Sequence, residues 1–272
     1  MKRLIAVAVS ALAVLLAGAP AAVAAPSAPA GSSPSNAVYA ALGDSYSSGV
    51  GTRLYGPSSG ACLRSPLAYA PLSARIQRMD LTFVACSGAT TADVQSSQVG
   101  SVPRDAALVT ITVGGNDVGF APVLQACSAG TSAQCDAAVS AGRTAVQQVL
   151  PGRLDTTFAQ IRAHAPHARL VVLGYPLLFG SGPCTAAGLP PAAARAAIDA
   201  GTDLLDGVIR QRAEAAHAAF VDVRSRFQNH GTCAATLHRW INPPTTPATD
   251  SYHPNIAGQA LGYLPALRAV SV

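Results

Sequence analysis

Short apolar runs alternate with helix-like segments along most of this 272-residue chain. The apolar runs are continuous or rich in β-branched residues, which predicts strands at Ala37–Leu42, Leu81–Ala85, Leu108–Val113, Arg169–Leu173 and Ala219–Val223. The helix-like segments are Leu67–Met79, Asp136–Val149, Arg153–Ala165, Pro191–Ala218 and Asn255–Ala269. This alternation predicts an α/β fold, in which right-handed crossovers build a parallel sheet with helices on both faces.

The first 25 residues have the layout of a secretory signal peptide. Lys2 and Arg3 form a basic start, an apolar run extends from Leu4 to Leu16, and small residues at 22–24 supply a cleavage site. The run is shorter than the about 20 residues of a transmembrane helix, so we expect secretion and no stable membrane anchor. Residues 26–36 are Ala, Pro, Ser, Gly and one Asn, typical of a flexible leader, and residues 37–272 suit one α/β domain.

Six cysteines follow the predicted signal peptide, at positions 62, 86, 127, 135, 184 and 233. An even number in an exported chain predicts three disulfides. Six cysteines allow 15 pairings, so their positions alone leave the connectivity open, although pairing in sequence order would close only short or moderate loops. The chain has no Cys-x-x-Cys or His-x-x-x-His spacing, which argues against a metal site.

The charge of the chain gives little indication of a partner. The formal net charge is +5, and two of these charges belong to Lys2 and Arg3 in the predicted signal peptide. The remaining basic residues are all arginines, and they are spread along the chain without forming a basic run. We therefore expect no nucleic-acid partner.

A serine follows the first predicted strand, within Gly43–Tyr46. A turn between a strand and a helix would present the hydroxyl of Ser45 at the edge of the sheet, where it could act as a nucleophile if a base removed its proton. The alternative is that Ser45 only caps the next helix. Asp44 adjoins Ser45 and would point the opposite way, so we interpret it as a turn and network residue.

His253 is the candidate base, because its unperturbed pKa of about 6.5 suits proton transfer near neutral pH. Asp250 precedes it by three residues, and a loop of that length can turn the carboxylate onto Nδ1. We expect Asp250 to be the third catalytic residue. A main-chain carbonyl close to His253, such as that of Ser251, could orient the ring instead.

Gly88 and Asn116 follow the second and third predicted strands. The carboxyl ends of parallel strands meet at one edge of a sheet, so both residues should lie near Ser45. The N–H groups of Ser45 and Gly88 and the Asn116 amide could form an oxyanion hole. Alternatively, Gly88 and Asn116 are ordinary turn residues.

Together, these segments resemble the four blocks of the SGNH hydrolase superfamily, also called GDSL lipases/esterases. Gly43–Ser45 resembles the Ser block, Gly88 the Gly block, Gly115–Asp117 the Asn block and Asp250–His253 the Asp-x-x-His block. Tyr46 and Ser47 stand where the family often has Leu. The similarity extends from Val38 to the C-terminal helix, and is greatest to secreted bacterial lipases/esterases with three disulfides.

The resemblance implies a flavodoxin-like three-layer α/β/α sandwich with a five-stranded parallel sheet of order 2-1-3-4-5. It also implies that no metal or cofactor is needed, and that the disulfides follow sequence order as Cys62–Cys86, Cys127–Cys135 and Cys184–Cys233. Some relatives use a main-chain carbonyl in place of the acid, which keeps the role of Asp250 open.

The expected function is a secreted serine ester hydrolase, a lipase or esterase that forms an acyl-enzyme on Ser45. Its substrates would be acyl lipids or simple small-molecule esters, and we expect a monomer. A phospholipase A and a carbohydrate deacetylase of the acetyl-xylan type are alternatives with the same chemistry. Trp240 is the only tryptophan, which offers little for sugar stacking. An inactive binding protein is the alternative from another class.

Overall fold

The computed structural model describes residues 36–180 and 184–270. Its five strands are β1 (Val38–Gly43), β2 (Asp80–Phe83), β3 (Leu108–Thr112), β4 (Arg169–Leu173) and β5 (Ala219–Val221). They form one sheet in the order β2-β1-β3-β4-β5, and every neighbouring pair is parallel. The predicted α/β fold and strand order are thus confirmed. The predicted signal peptide, and the predicted leader up to residue 35, lie outside the described residues.

The helices are α1 (Ser45–Ser48), α2 (Tyr69–Gln77), α3 (Thr91–Asp93), α4 (Phe120–Ala129), α5 (Ser132–Gln148), α6 (Leu150–His164), α7 (Ala192–Ala215), α8 (Arg224–Phe227) and α9 (Leu264–Arg268). One group contains α2 and α9, which pack together, and α2 also contacts β2. The other group contains α5, α6 and α7, and α7 contacts β4 and β5. Among the helices described, none is both long and apolar enough to cross a bilayer.

The central strands are buried along their length. Residues Tyr39 to Leu42 of β1 are fully buried, and every residue of β3 is fully or almost fully buried. This continuous burial is expected of parallel strands with helices on both faces. Inside the sheet, the Tyr39 hydroxyl and Thr110 Oγ1 lie 2.8 Å apart and satisfy each other by a hydrogen bond.

Two helical segments differ from the sequence prediction for identifiable reasons. The helix predicted from Asp136 begins at Ser132, because Thr131 and Gln134 form a capping box at its start. The sequence predicted no helix at Phe120–Ala129, where α4 forms. Pro122 obscures the pattern there, although proline is tolerated in a first helical turn.

The cysteines are joined in sequence order, as Cys62–Cys86, Cys127–Cys135 and Cys184–Cys233. The second of these bridges joins α4 to α5. The first joins the segment after α1 to the segment after β2, and the main-chain N–H of Ser87 donates to the carbonyl of Cys62 at 3.1 Å. The turn that contains Gly88 is therefore fixed to the segment that follows Ser45.

Candidate active site

Ser45 lies at the carboxyl edge of the sheet, as the first residue of α1. Asp44 caps this short helix, and its carboxylate accepts a hydrogen bond from the Tyr46 N–H at 3.0 Å. Gly43 makes the tight turn that places Ser45 there, since its φ is +114° and a Cβ would lie 2.2 Å from the Thr112 carbonyl oxygen. A residue with a side chain at position 43 would push β1 away from β3.

The His253 ring joins Ser45 to the late loop of the chain. Its Nε2 lies 2.7 Å from the Ser45 hydroxyl oxygen, and its Nδ1 lies 2.9 Å from the main-chain carbonyl oxygen of Ser251. A carbonyl can only accept, so Nδ1 carries the proton and Nε2 is free to accept from the serine hydroxyl. This is the tautomer that can take a proton from Ser45.

Burial lowers the pKa of His253 to about 4, because the charged imidazolium loses hydration. The hydrogen bond to the Ser251 carbonyl and the negative charge of Asp250 oppose this shift, and so does the main chain at Thr249. The imidazole is therefore neutral, and available as a base, over a range that extends well below neutral pH.

Asp250 ends a 3₁₀ turn, and its carboxylate is buried. Oδ1 accepts a hydrogen bond from the Tyr55 hydroxyl at 2.6 Å, and Oδ2 lies 3.4 Å from Nε of Arg53. The expectation that this carboxylate orients Nδ1 of His253 is not what the structure shows, because the Ser251 carbonyl holds that nitrogen. Asp250 instead joins the loop that carries His253 to the loop that follows α1.

Gly88 and Asn116 lie beside this pair of residues. Both line a groove of about 500 Å³ that also contains Ser45, Ser251 and His253. The Asn116 amide nitrogen donates to the Ala89 carbonyl at 3.0 Å, which fixes the amide and leaves its second N–H for another acceptor. All of the residues proposed for the oxyanion hole are thus brought to one place.

Asp117 connects the turns that carry Gly88 and Asn116. Its two carboxylate oxygens accept from Thr91, from the main-chain N–H at 2.9 Å and from the hydroxyl at 2.6 Å. Arg153 lies 3.2 Å from the same carboxylate. The sequence analysis gave Asp117 no separate role, although its place beside Asn116 at the end of β3 was the available signal.

Tyr175 is a second residue that the sequence analysis missed. Its hydroxyl donates to the Asp44 carboxylate and accepts from the Gly115 N–H at 3.2 Å. Asp44 also accepts from Thr112 Oγ1 at 2.7 Å. Burial raises the pKa of Asp44 to about 6, and these hydrogen bonds oppose the shift. Tyr175 follows β4 at the same sheet edge, so its position along the chain could have identified it.

Comparison with known proteins gives a consistent result. The profile of the GDSL-like Lipase/Acylhydrolase family matches residues 41–261. A lipase of Streptomyces rimosus is 42% identical over 234 residues, which are 86% of each chain. The crystal structure of an extracellular lipase from the same species has a TM-score of 0.83 at 40% identity, and covers 86% of this chain and 100% of that one. For the phospholipase A1 of Streptomyces albidoflavus NA297 the TM-score is 0.82 at 43% identity, with coverage of 86% and 99%.

The fold and the arrangement at its carboxyl edge define an SGNH hydrolase. The chain belongs to the GDSL-like Lipase/Acylhydrolase family, as the resemblance in the sequence predicted. It is a carboxylic ester hydrolase.

Proposed function

We propose that the protein is a secreted lipase or esterase that cleaves carboxylic esters through an acyl-enzyme on Ser45. The observation that carries the proposal is the contact of 2.7 Å between His253 Nε2 and the Ser45 hydroxyl oxygen, in a ring whose Nδ1 is held by a carbonyl. A neutral imidazole in contact with the hydroxyl before any substrate binds supports a role for His253 as the base.

The reaction has two halves. Ser45 Oγ attacks the ester carbonyl carbon while its proton passes to His253 Nε2, and a tetrahedral intermediate forms. The intermediate collapses when the alcohol oxygen leaves with the proton from His253. Water then attacks the acyl-enzyme with His253 again as the base, and collapse releases the carboxylic acid and restores Ser45.

The oxyanion of each tetrahedral intermediate needs donors that are already in place. As the first residue of α1, Ser45 has an N–H that the helix itself does not use. The Gly88 N–H and the free N–H of the Asn116 amide supply two further donors in the same groove. Loss of one such donor typically costs ~2.7–4 kcal/mol of transition-state stabilisation.

We assign Ser45 and His253 as a catalytic dyad, oriented by the Ser251 carbonyl. Asp250 has a supporting role, because its charge lies close enough to favour the imidazolium and its contacts with Tyr55 and Arg53 hold the loop.

The groove favours lipid or simple esters over carbohydrate esters. Phe120, Ala121, Leu124 and Ala129 supply an apolar wall on α4. Trp240 lies away from this groove, since its ring stacks on His230 at 3.7 Å between centroids and packs edge-on against Phe227. The family member from S. albidoflavus is a phospholipase A1, so phospholipid is the second substrate candidate.

In this proposal the chain is secreted, and residues 1–25 are removed as a signal peptide. Residues 26–36 form a leader, and residues 37–272 form a monomeric domain with neither nucleic-acid partner nor stable membrane anchor. Three disulfides among the described residues support an oxidising compartment. An extracellular lipase among the relatives supports it as well.

A hydrolysis panel tests the function and the substrate class together. The purified protein, Ser45→Ala and His253→Ala are assayed on p-nitrophenyl butyrate, triglyceride, phosphatidylcholine and acetylated xylan. We expect turnover of the p-nitrophenyl ester and a lipid ester, and a loss of at least ~10³-fold in both variants. Turnover of acetylated xylan alone would move the assignment to a deacetylase, and full activity in Ser45→Ala would overturn the mechanism.

A further inference from the structure

Phe120 lies where three hollows of the molecule meet. The first hollow is the groove with Ser45 and His253, and the second is a small hollow behind Ser45 that Asn116 and Tyr175 also line. The third is an apolar cleft beside α4, α5 and α7, here called the back cleft. Its apolar lining includes Val118, Val123, Val139, Val146, Ile198 and Leu205. Phe120 lines all three.

The small hollow shares lining residues with both the active-site groove and the back cleft. It begins at Ser45 and Asn116, and it shares Phe120, Thr202 and Leu205 with the back cleft. Thr202 and Leu205 are buried residues of α7. A chain attached to Ser45 could therefore pass along Phe120 and enter the space between α5 and α7.

The linings of the two larger hollows suit different parts of an ester. The open groove combines the apolar wall on α4 with polar side chains, including Ser87, Gln125 and Ser128, which could bind the polar part of an alcohol or head group. The back cleft is lined mostly by aliphatic side chains, with Arg143 as its charged residue. An apolar chain in the back cleft would exchange water for these aliphatic contacts.

The volumes set the length of chain that fits. The small hollow measures about 20 Å³ and the back cleft about 60 Å³. On this measure about 10–15 Å³ accommodates one water, which is close in size to a methylene group. The two spaces together therefore suit an acyl chain of roughly six carbons.

We propose that the back cleft binds the acyl chain of the substrate, and that Phe120 is a specificity-determining residue at its entrance. This inference rests on the proposed function, because it places the acyl carbonyl on Ser45. The leaving alcohol then occupies the open groove. Each methylene that enters the back cleft should raise kcat/KM about fourfold until the space is filled.

Gly201 provides the test, because it lines the back cleft from α7 and a Cβ there would meet nothing within 4 Å. Gly201→Leu fills the cleft without a backbone clash. Gly207→Leu is the matched control: Gly207 is an exposed residue of the same helix, its Cβ position is equally open, and it does not line the cleft. Val139→Phe fills the cleft from α5.

The measurement is kcat/KM for p-nitrophenyl esters from acetate to decanoate. In Gly201→Leu and Val139→Phe the ratio of octanoate to acetate should fall at least tenfold, while Gly207→Leu keeps the ratio of the unmodified protein. An unchanged ratio in a folded Gly201→Leu or Val139→Phe protein would overturn the proposal and leave the acyl chain in the open groove. Activity that survives Ser45→Ala would instead show that the proposed function itself has failed.

Discussion

The Nδ1 atom of His253 is hydrogen-bonded to the main-chain carbonyl of Ser251, with 2.9 Å between nitrogen and oxygen. The carbonyl fixes the ring tautomer as a carboxylate would, but it carries no full charge to balance an imidazolium. That charge comes from Asp250, which raises the pKa of His253 without occupying Nδ1. Orientation and charge balance are therefore supplied by two different groups on the same loop.

Asp250→Asn should reduce kcat less than about tenfold, or ~1.4 kcal/mol of barrier. The asparagine keeps an oxygen for the Tyr55 hydroxyl, and the Ser251 carbonyl still holds the ring. Steady-state kinetics on p-nitrophenyl butyrate measure the effect, with His253→Ala as the reference for complete loss. A fall of several orders of magnitude would contradict the supporting role given to Asp250.

In a plot of kcat/KM against pH, the fall in activity on the acid side should lie well below pH 6.5, because burial lowers the pKa of His253 to about 4. This fall is here called the acid limb. His253 loses its function as a base when it gains a proton, so activity falls as the pH drops through this value. Asp250→Asn should move the limb to still lower pH, since the Asp250 charge raises the His253 pKa. A limb at pH 6.5 or above would contradict an imidazole that desolvation keeps neutral.

Asn116→Ala should lower kcat about 10²–10³-fold and change KM little, as expected when a donor to the oxyanion is removed. The Asn116 amide is held by the Ala89 carbonyl, so the donor is positioned before substrate binds. A thermal melt of the same variant checks that the fold survives. A large fall in Tm together with the loss of activity would point instead to a structural role of Asn116 in the turn.

Asp206 should make the folded protein less stable as the pH rises from about 4 to about 7. Burial raises its pKa from 3.8 to about 7, and its Oδ2 has no hydrogen-bond partner, although Arg224 Nε lies 3.6 Å away. The folded state thus binds more protons than the unfolded state in this window, and stability falls with increasing pH. Asp44 and Asp199, whose pKa values rise to about 6, act in the same direction.

Asp206→Asn removes one of these contributions. The Tm of the variant, relative to that of the unmodified protein, should therefore rise by a few degrees between pH 4 and pH 8. In a domain of this size ~1 kcal/mol corresponds to about 2–4 °C. Asp105→Asn, at an exposed position, is the control and should show no such trend. If the Tm values of Asp206→Asn and the unmodified protein changed with pH in parallel, the role given to Asp206 would be refuted.

The sheet could be predicted from the sequence because its strands are buried on both faces and therefore read as continuous apolar runs. The sheet edge that gathers Ser45, Gly88 and Asn116 followed from the same pattern. Helix α4 was missed, although its Phe120 lines the groove, because a proline interrupts the helical pattern.

The group that orients His253 could not be predicted from the spacing of residues in the sequence. Asp250 at three residues before the histidine is compatible with a bond to Nδ1, but so is the Ser251 carbonyl. The choice depends on backbone angles, since Ser251 is extended with ψ of 140° and Tyr252 takes a positive φ of 62°. It also depends on Tyr55, which lies 195 residues from Asp250 in the chain and whose hydroxyl donates to one oxygen of the Asp250 carboxylate.

Covalent labelling tests the central claim, that Ser45 is the nucleophile activated by His253. A serine-reactive phosphonate is added in slight excess, and the modified residue is located by peptide mass spectrometry, with Ser45→Ala and His253→Ala in parallel. One label per chain on Ser45, none in Ser45→Ala and greatly slowed labelling in His253→Ala are the predicted results. A label on another serine, or equally fast labelling without His253, would contradict the assignment.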